Sequence, residues 1–304
     1  MTKNLICIVG PTAIGKTALS IEVAQHFNTE IISCDSRQFF KEMNIGTAVP
    51  SEEELQLVKH HFIQHKSVKE PYSVGQFEKE AIDTIEKLFK DHDVLVLAGG
   101  SGLYMQAITR GLDDFPEIEP EIRQTLNKRL QHEGLENLQN ELRQLDQTAY
   151  EQIEIDNPHR VIRALEVTLG SGKPYSSFLS KSSVKRPFET IMIGLVADRE
   201  IIYERINRRV DLMFEEGLLE EARAVFPYKH LNALNTVGYK ELFRFIEGEW
   251  ELDFAISEIK KNTRRFAKRQ LTWYRKNDQI QWFDHDTPSP LINREIENQI
   301  KKPA

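Results

Sequence analysis

Cysteine is almost absent from this sequence, which has only Cys7 and Cys34 in 304 residues. Both lie in short apolar runs, and two thiols are too few for a disulfide framework or a four-cysteine zinc site. No apolar run reaches the ~18 residues that a membrane-spanning helix needs. Residues 1–4 also lack a basic segment and a cleavage site, so we expect a cytoplasmic protein with reduced cysteines and no membrane partner.

The sequence also lacks an excess of positive charge, since 47 Asp and Glu outnumber 40 Lys and Arg and the formal net charge is −7. Taken alone, an acidic balance argues against a nucleic-acid partner. However, residues 260–276 contain eight Lys or Arg and no Asp or Glu, with Trp273 and Tyr274 among them. A run of charge often marks only a solvated surface. On so acidic a chain, this one predicts a basic helix that contacts an RNA backbone.

Short runs rich in Val and Ile predict the strands of a parallel sheet that is buried on both faces. These runs are Leu5–Val9, Ile31–Cys34, Val94–Ala98 and Thr190–Ala197. Residues 16–27 and 74–89 have apolar side chains at helical spacing between the strands. The alternation of strands and helices predicts an α/β sheet with right-handed crossovers.

The first predicted strand is followed directly by the sequence GPTAIGKT, which matches the G-x-x-x-x-G-K-T pattern of a phosphate-binding loop. Its residues are Gly10, Pro11, Thr12, Ala13, Ile14, Gly15, Lys16 and Thr17. Backbone N–H groups would surround a phosphate chain, Lys16 would reach the outer phosphate, and the Thr17 hydroxyl would ligate Mg²⁺. The loop alone does not choose between ATP and another phosphorylated compound.

From Ile118 to about Gly170 the sequence has only helical spacing, and a segment rich in Ser, Gly and Pro then leads back to the sheet. The predicted fold class is therefore α/β, a P-loop type parallel sheet flanked by helices, with an inserted all-helical domain. We assign residues 1–117 and 184–304 to the catalytic core and residues 118–183 to the insertion.

The run Val94–Ala98 is followed by Gly99, Gly100 and Ser101, with no acidic residue. Enzymes of this class that transfer or hydrolyse phosphoryl groups commonly have a magnesium-orienting Asp there, so its absence weakens that interpretation. The two glycines fit either a tight turn or the close approach of another backbone or a ligand. Asp35 ends another strand, so it should lie beside the loop, either as a helix cap or as a catalytic carboxylate.

Seven motifs, in order, resemble the bacterial type of the tRNA dimethylallyltransferase family. They are GPTAIGKT, DSRQFFKEMNIGTA (Asp35–Ala48), GGSGLY (Gly99–Tyr104), NPHRVIRALEV (Asn157–Val167), RINRRVDLMFEEGLLEE (Arg205–Glu221), VGYKE (Val237–Glu241) and KRQLTWYRK (Lys268–Lys276). The resemblance extends from Leu5 to Lys276 and is far more specific than the loop alone. The sequence has Ser101 where the family more often has Thr, and Asn157 where it usually has Asp.

The resemblance implies that the loop holds the diphosphate of dimethylallyl diphosphate, with Mg²⁺, as a leaving group. The five-carbon group would pass to the N6 amine of the adenosine on the 3′ side of the anticodon in tRNA. Lys16, Thr17, Asp35 and Arg209 would be catalytic, with Asp35 accepting the proton and Arg209 adding positive charge. Without the family, Arg209 would be interpreted as a solvated helix residue.

The resemblance and the basic run together predict contacts with the tRNA anticodon stem-loop. The residues are Asp35, Ser36, Arg37, Gln38, Ser101, Arg123, His159, Arg160, Val161, Ile162, Arg163, Asn235, Gly238, Lys240, Lys268, Arg269 and Arg275. We expect a monomer, because no heptad seam or apolar stripe is left unassigned.

Three other functions remain open at this point. A small-molecule kinase would use the loop and Asp35, and a prenyltransferase for free adenine nucleotides would use the same chemistry. A non-catalytic RNA-binding module would explain the basic run but would leave the complete phosphate loop unexplained.

Overall fold

The structure is a computed structural model that describes residues 2–179 and 184–301. The strands are β1 (Asn4–Val9), β2 (Ile31–Ser33), β3 (His60–His61), β4 (Val94–Ala98), β5 (Glu189–Val196) and β6 (Ile280–Asp284). The helices are α1 (Lys16–His26), α2 (Glu52–Leu57), α3 (Val74–Leu88), α4 (Gly102–Arg110), α5 (Pro120–Glu133), α6 (Leu135–Leu145), α7 (Gln147–Gln152), α8 (Pro158–Ser171), α9 (Arg199–Glu215), α10 (Leu218–Val225), α11 (Tyr239–Ile246), α12 (Leu252–Tyr274) and α13 (Ser289–Lys301). Short 3-10 turns cover Tyr175–Phe178, Phe226–Tyr228 and Asn232–Leu234.

The chain divides into two compact units. The first is Met1–Arg110 with Lys185–Ala304, and the second is Gly111–Val184. The second unit thus begins at Gly111, whereas the sequence analysis placed the start of the insertion later, at Ile118. Among the residues described, no helix is long and apolar enough to cross a membrane.

The first unit is built on a six-stranded sheet with the order β3-β2-β4-β1-β5-β6, in which all pairs are parallel. Side chains of β1 alternate between two buried clusters, Leu5 and Cys7 in one and Ile6 and Ile8 in the other. Helices therefore cover both faces of the sheet, as expected for a parallel arrangement. The predicted α/β fold is confirmed.

Two edge strands were missed by the sequence interpretation. β3 has only two residues, His60 and His61, and its polar side chains give no strand signal. His61 Nε2 lies 2.5 Å from Glu30 Oε2. β6 pairs with β5 and is only half-buried over most of its length. Edge strands lack the continuous apolar run that identifies a central strand.

The order of the strands determines where the functional loops lie. β4 lies between β2 and β1, and the segments after these three strands begin at Cys34, Gly99 and Gly10. Because parallel strands end at the same edge of a sheet, these segments lie side by side. The chain leaves β1 through Gly10, at φ +147°, where a Cβ would lie only 2.7 Å from the carbonyl oxygen of Leu195. Only glycine fits this turn.

The second unit has its own small core. Leu126 of α5, Leu138 and Leu142 of α6, and Leu165 of α8 are buried against one another. Its described residues form helices and a 3-10 turn but no strand. The unit is therefore folded around its own apolar cluster, and its contact with tRNA stays a prediction.

Candidate active site

The phosphate-binding loop has the backbone that its sequence predicts. Ala13 and Gly15 have φ values of +64° and +113°, and α1 begins at the next residue, Lys16. The Lys16 ammonium donates to the Pro11 carbonyl at 2.8 Å, across the loop. Burial lowers the pKa of Lys16 from 10.5 to about 8, and the charge of Asp35 opposes that shift. The loop thus presents backbone N–H groups, a helix N-terminus and one desolvated cation.

Asp35 lies just after β2 and forms a local turn. Its Oδ1 accepts from the backbone N–H of Arg37 at 3.1 Å, and its own N–H donates to Ser33 Oγ at 3.3 Å. No helix begins at these described residues, so the helix-cap interpretation is wrong, and this carboxylate oxygen closes a local turn instead. The carboxylate also lines the cavity around the phosphate loop, so it is available for chemistry as well.

Two cavities of the first unit meet at Asp35. One, of about 1130 Å³, is lined by the phosphate loop. The other, of about 750 Å³, is lined by α12, by residues 235–238 and by residues 100–104. Thr12, Asp35, Thr47, Ala48, Gly100, Arg209 and Met213 line both. A phosphorylated ligand in the first cavity and a second ligand in the other would approach each other at this common wall.

Arg209 is part of the same wall. Its Nη1 donates to the Thr12 hydroxyl at 3.2 Å, from the middle of α9. Burial lowers the pKa of Arg209, whereas the negative charge of Asp35 raises it. The interpretation of Arg209 as a solvated helix residue is therefore wrong, and that interpretation fits its exposed neighbour Arg208 instead.

The residues that follow Asp35 are engaged mainly with the protein itself. The Ser36 N–H donates to Ser101 Oγ at 3.0 Å, and the two hydroxyl oxygens lie 2.9 Å apart. The guanidinium of Arg37 donates to the backbone carbonyls of residues 232 and 233 at 3.0 and 2.7 Å. The Gln38 amide donates to the backbone carbonyls of residues 47 and 48 at 3.2 and 2.8 Å. Arg37 and Gln38 thus hold neighbouring loops, and their contact with tRNA stays a prediction.

Two groups can be distinguished among the basic residues of α12 and of the two positions that follow it. Lys260 and Lys261 form ion pairs with Asp211 and Glu258 at 2.5 and 2.7 Å. The exposed side chains of Lys268, Arg269 and Arg275 form no ion pair in the part of the chain that the structure describes. A cavity of about 510 Å³ between α9 and α12 is lined by Arg199, Tyr203, Asn207, Lys261, Arg264, Arg265 and Lys268. The second group of cations is therefore free to bind an anionic partner.

Residues 235–240 lie near this helix. Asn235 and Lys240 are exposed, whereas Gly238 is buried and has a φ of +98°. The Gly238 N–H donates to Glu241 Oε2 at 2.9 Å, so this glycine starts α11 and its role is at least partly structural.

Two of the predicted arginines in the second unit are paired with a single buried carboxylate. Arg123 Nη1 and Arg163 Nη1 donate to Glu166 Oε2 at 2.9 and 3.1 Å, and Glu166 is only 6% exposed. The Arg163 guanidinium also lies 5.0 Å from the ring centre of Phe115. Each guanidinium has five N–H donors, so most remain for a further ligand.

The prediction for Val161 and Ile162 requires a correction. Their side chains are 0% and 1% exposed, because both belong to the core of the second unit. These side chains have no surface for RNA, and they anchor α8, whose exposed residues His159 and Arg160 directly precede them. Asn157 caps α8 through its Oδ1, which accepts from the His159 N–H at 3.1 Å, as expected for this position.

Sequence reasoning missed Gln270, which lies among the cations of α12 but is buried. Its amide contacts Thr12 and Gly100. A Cβ on Gly100 would lie 2.5 Å from Gln270 Nε2, and one on Gly99 would lie 2.7 Å from the Cys34 carbonyl carbon. The two glycines are therefore explained by close protein packing. Ala267, Gln270 and Tyr274 share the buried face of α12 at helical spacing, which is the signal that could have identified Gln270.

The parallel sheet, the loop and the paired cavities define the class, an α/β protein of the P-loop type. The family model for IPP transferase matches residues 38–277, so the chain belongs to the IPP transferase family. It is 60% identical to the tRNA dimethylallyltransferase of Christiangramia forsetii, over 99% of each chain. It is 57% identical to that of Flavobacterium johnsoniae, over 97% of this chain and 98% of the relative.

Two solved structures are similar over most of their length. The tRNA isopentenylpyrophosphate transferase of Bacillus halodurans is 37% identical, with a TM-score of 0.71, over 98% of this chain and 95% of that one. A eukaryotic dimethylallyltransferase acting on tRNA is 26% identical, with a TM-score of 0.84, over 98% of this chain and 79% of that one. The fold predicted from the motifs is thus shared with solved members of the family.

Lys16 makes anion binding dependent on pH. In the free protein its ammonium loses a proton as the pH rises through about 8. A bound diphosphate would favour the charged form, so its affinity should fall by about tenfold per pH unit above that point. Titration calorimetry with inorganic diphosphate and Mg²⁺ between pH 7 and 9.5 would measure the fall. Lys16→Arg, whose guanidinium stays charged, should lose this slope. An equal slope in both proteins would contradict the assignment.

Proposed function

We propose that the protein transfers a dimethylallyl group from dimethylallyl diphosphate to the N6 amine of the adenosine on the 3′ side of the anticodon in tRNA. Diphosphate is the second product. The observation that carries the proposal is the common wall of Thr12, Asp35 and Arg209 between the phosphate-loop cavity and the second cavity. Cations would lie beside a leaving group on one side, and a proton acceptor would lie beside a nucleophile on the other.

The phosphate loop would hold the departing diphosphate. The bond between the allylic carbon and oxygen breaks, and the negative charge that develops on the diphosphate would be stabilised by loop N–H groups, Lys16 and Arg209. Both cations are already desolvated, so they would interact more strongly than cations in water. The Thr12 hydroxyl, which accepts from Arg209, would hold that guanidinium in place.

Thr17 and Asp35 both line the first cavity, and oxygen ligands of this kind suit Mg²⁺. The residues therefore fit the cation, and the Thr17 hydroxyl is the ligand we expect. When bound, Mg²⁺ would neutralise part of the charge on the diphosphate.

Asp35 would accept the proton from the attacking amine. As the bond between N6 and the allylic carbon forms, the amine loses a proton to the carboxylate, which keeps the reaction balanced in atoms and charge. The base must leave the anticodon stack to reach the second cavity. Gly100, Gly102 and Phe266 line that cavity together with Trp273, which is 42% exposed and offers an aromatic face.

A tRNA substrate agrees with the names of the relatives and with the distribution of charge. Lys268 and Arg269 on α12, and Arg275 directly after it, supply unpaired positive charge in the first unit. In the second unit, Arg123 and Arg163 share the single carboxylate of Glu166, so together they keep a net positive charge. We also propose that the protein works in the cytoplasm as a monomer, because its sequence leaves no heptad seam or apolar stripe unassigned.

The alternatives fit less well. A small-molecule kinase would need a second acidic residue near the end of β4, where the chain has Gly99, Gly100 and Ser101. A prenyltransferase for free nucleotides would need no exposed basic helix. A non-catalytic RNA-binding protein would have no use for desolvated cations in a phosphate loop.

One experiment separates these functions. The protein is incubated with Mg²⁺, labelled dimethylallyl diphosphate and either unmodified tRNA or AMP. Label in tRNA supports the proposal, and label only in AMP supports the nucleotide prenyltransferase. The absence of transfer to either acceptor would overturn the proposal.

Substitution of Asp35 tests the assignment of the base. Asp35→Ala should lower the single-turnover rate of transfer by ~100-fold or more, because it removes the proton acceptor. Asp35→Asn is the matched control, since its side-chain oxygen can still accept from the Arg37 N–H but cannot take the proton. The affinity for an unreactive prenyl diphosphate should survive in both. An active Asp35→Asn variant would show that only the turn matters.

Substitution of two cations tests the RNA surface. The double variant Lys268→Ala with Arg275→Ala should weaken tRNA binding, and each lost phosphate contact should reduce the slope of log K against log salt by about 1. The control is Lys87→Ala with Lys90→Ala, which removes the same amount of charge at exposed positions around the end of α3. These positions precede β4, so they lie near the amino ends of the strands, away from the loops of the site. Equal salt slopes for the two double variants would remove α12 from the interface.

A further inference from the structure

The side chain of Gln270 joins three segments of the candidate active site. It is 6% exposed and lies between the phosphate loop and the turn after β4. Its Oε1 accepts from the Thr12 N–H at 2.8 Å, and its Nε2 donates to the Gly100 carbonyl at 2.8 Å. Reversing the amide would set donor against donor and acceptor against acceptor, so the two partners determine its orientation.

Thr12 is held from two sides as a result. Its backbone N–H is fixed by Gln270 of α12, and its hydroxyl accepts from Arg209 of α9. The Thr12 N–H therefore donates to the protein itself and is not available to a phosphate. Thr12 is the point at which two helices set the position of the loop.

The other end of the amide lies beside the proposed base. A Cβ on Gly100 would lie 2.5 Å from Gln270 Nε2 and 3.4 Å from Asp35 Oδ2. The absence of a side chain at Gly100 thus lets the Gln270 amide approach the turn that packs against the carboxylate. A single buried side chain connects the leaving-group side of the common wall with its proton-accepting side.

We propose that Gln270 is a positioning residue for prenyl transfer. Through Thr12 and Gly100, it fixes the separation between the Thr12–Arg209 pair, which holds the leaving group, and the Asp35 carboxylate. The inference deepens the proposed function and rests on it. Because small misplacements of reacting groups lower rates strongly, loss of the amide should act on turnover more than on binding.

Gln270→Met keeps the length of the side chain but removes both hydrogen bonds. We expect kcat to fall by ~100-fold, with little change in the affinity for tRNA or for an unreactive prenyl diphosphate. Gln279→Met, at an exposed position after α12, is the matched control and should behave as the unsubstituted protein. An unchanged kcat in Gln270→Met, or a loss confined to the affinities and to the thermal midpoint, would overturn the inference.

A double-substitution cycle with Thr12 tests the route. If Gln270 acts through Thr12, then Gln270→Met should cost much less in a Thr12→Ala background, because that variant has already lost its bond to Arg209. Independent effects, which would multiply in the double variant, would contradict the route from Gln270 through the Thr12 hydroxyl to Arg209.

Gln270→Glu gives a readout that does not depend on the stability of the Met variant. When protonated, the introduced carboxyl group can still accept from Thr12 and donate to Gly100; when ionised, it faces the Gly100 carbonyl without a proton. The ratio of its kcat to that of the unsubstituted protein should therefore fall as the pH rises. A ratio independent of pH would contradict the role. If the unsubstituted protein does not modify tRNA at all, it is the proposed function that fails.

Discussion

The site depends on positive charge that is held out of water before any ligand arrives. Burial lowers the pKa values of Lys16 and Arg209, which means that the fold works against the charged form of both. The desolvation of a buried cation is normally compensated by a paired anion, and Asp35 compensates it only in part. A bound diphosphate would complete the compensation. Because its charge grows as the carbon–oxygen bond breaks, the stabilisation would be greatest at the transition state.

The same arrangement explains why the loop suits a leaving group better than a phosphoryl donor. The space after β4, where a phosphoryl-transfer enzyme would have a metal-orienting acid, is filled by the amide of Gln270 against Gly100. The second cavity reaches the loop through Thr12 and Arg209. A nucleophile that enters there would meet the ligand near Asp35, the carboxylate of the common wall.

The sequence predicted the parts of the fold that are determined by local pattern. β4 has the predicted bounds, and the loop and Asp35 share a cavity because strands of a parallel sheet end at one edge. The remaining contacts depend on partners that are distant in sequence. Gln270 meets Thr12 across 258 positions of the chain, and Arg123 meets Glu166 across 43. No periodicity specifies such pairs, and the short polar strand β3 gave no signal either.

The charge run of α12 also shows that composition alone overestimates the number of cations that are available to bind RNA. The eight cations of residues 260–276 looked uniform, but Lys260 and Lys261 neutralise acids near the start of that run. Their pairing leaves the later, exposed cations as the ones that would release counterions on binding RNA. In the second unit, the single negative charge of Glu166 pairs with two arginines, Arg123 and Arg163. Glu166 therefore orients their N–H donors, and the three side chains together keep a net positive charge. On the proposed function, recognition of RNA by this acidic protein would therefore depend on which cations are left unpaired, rather than on their number.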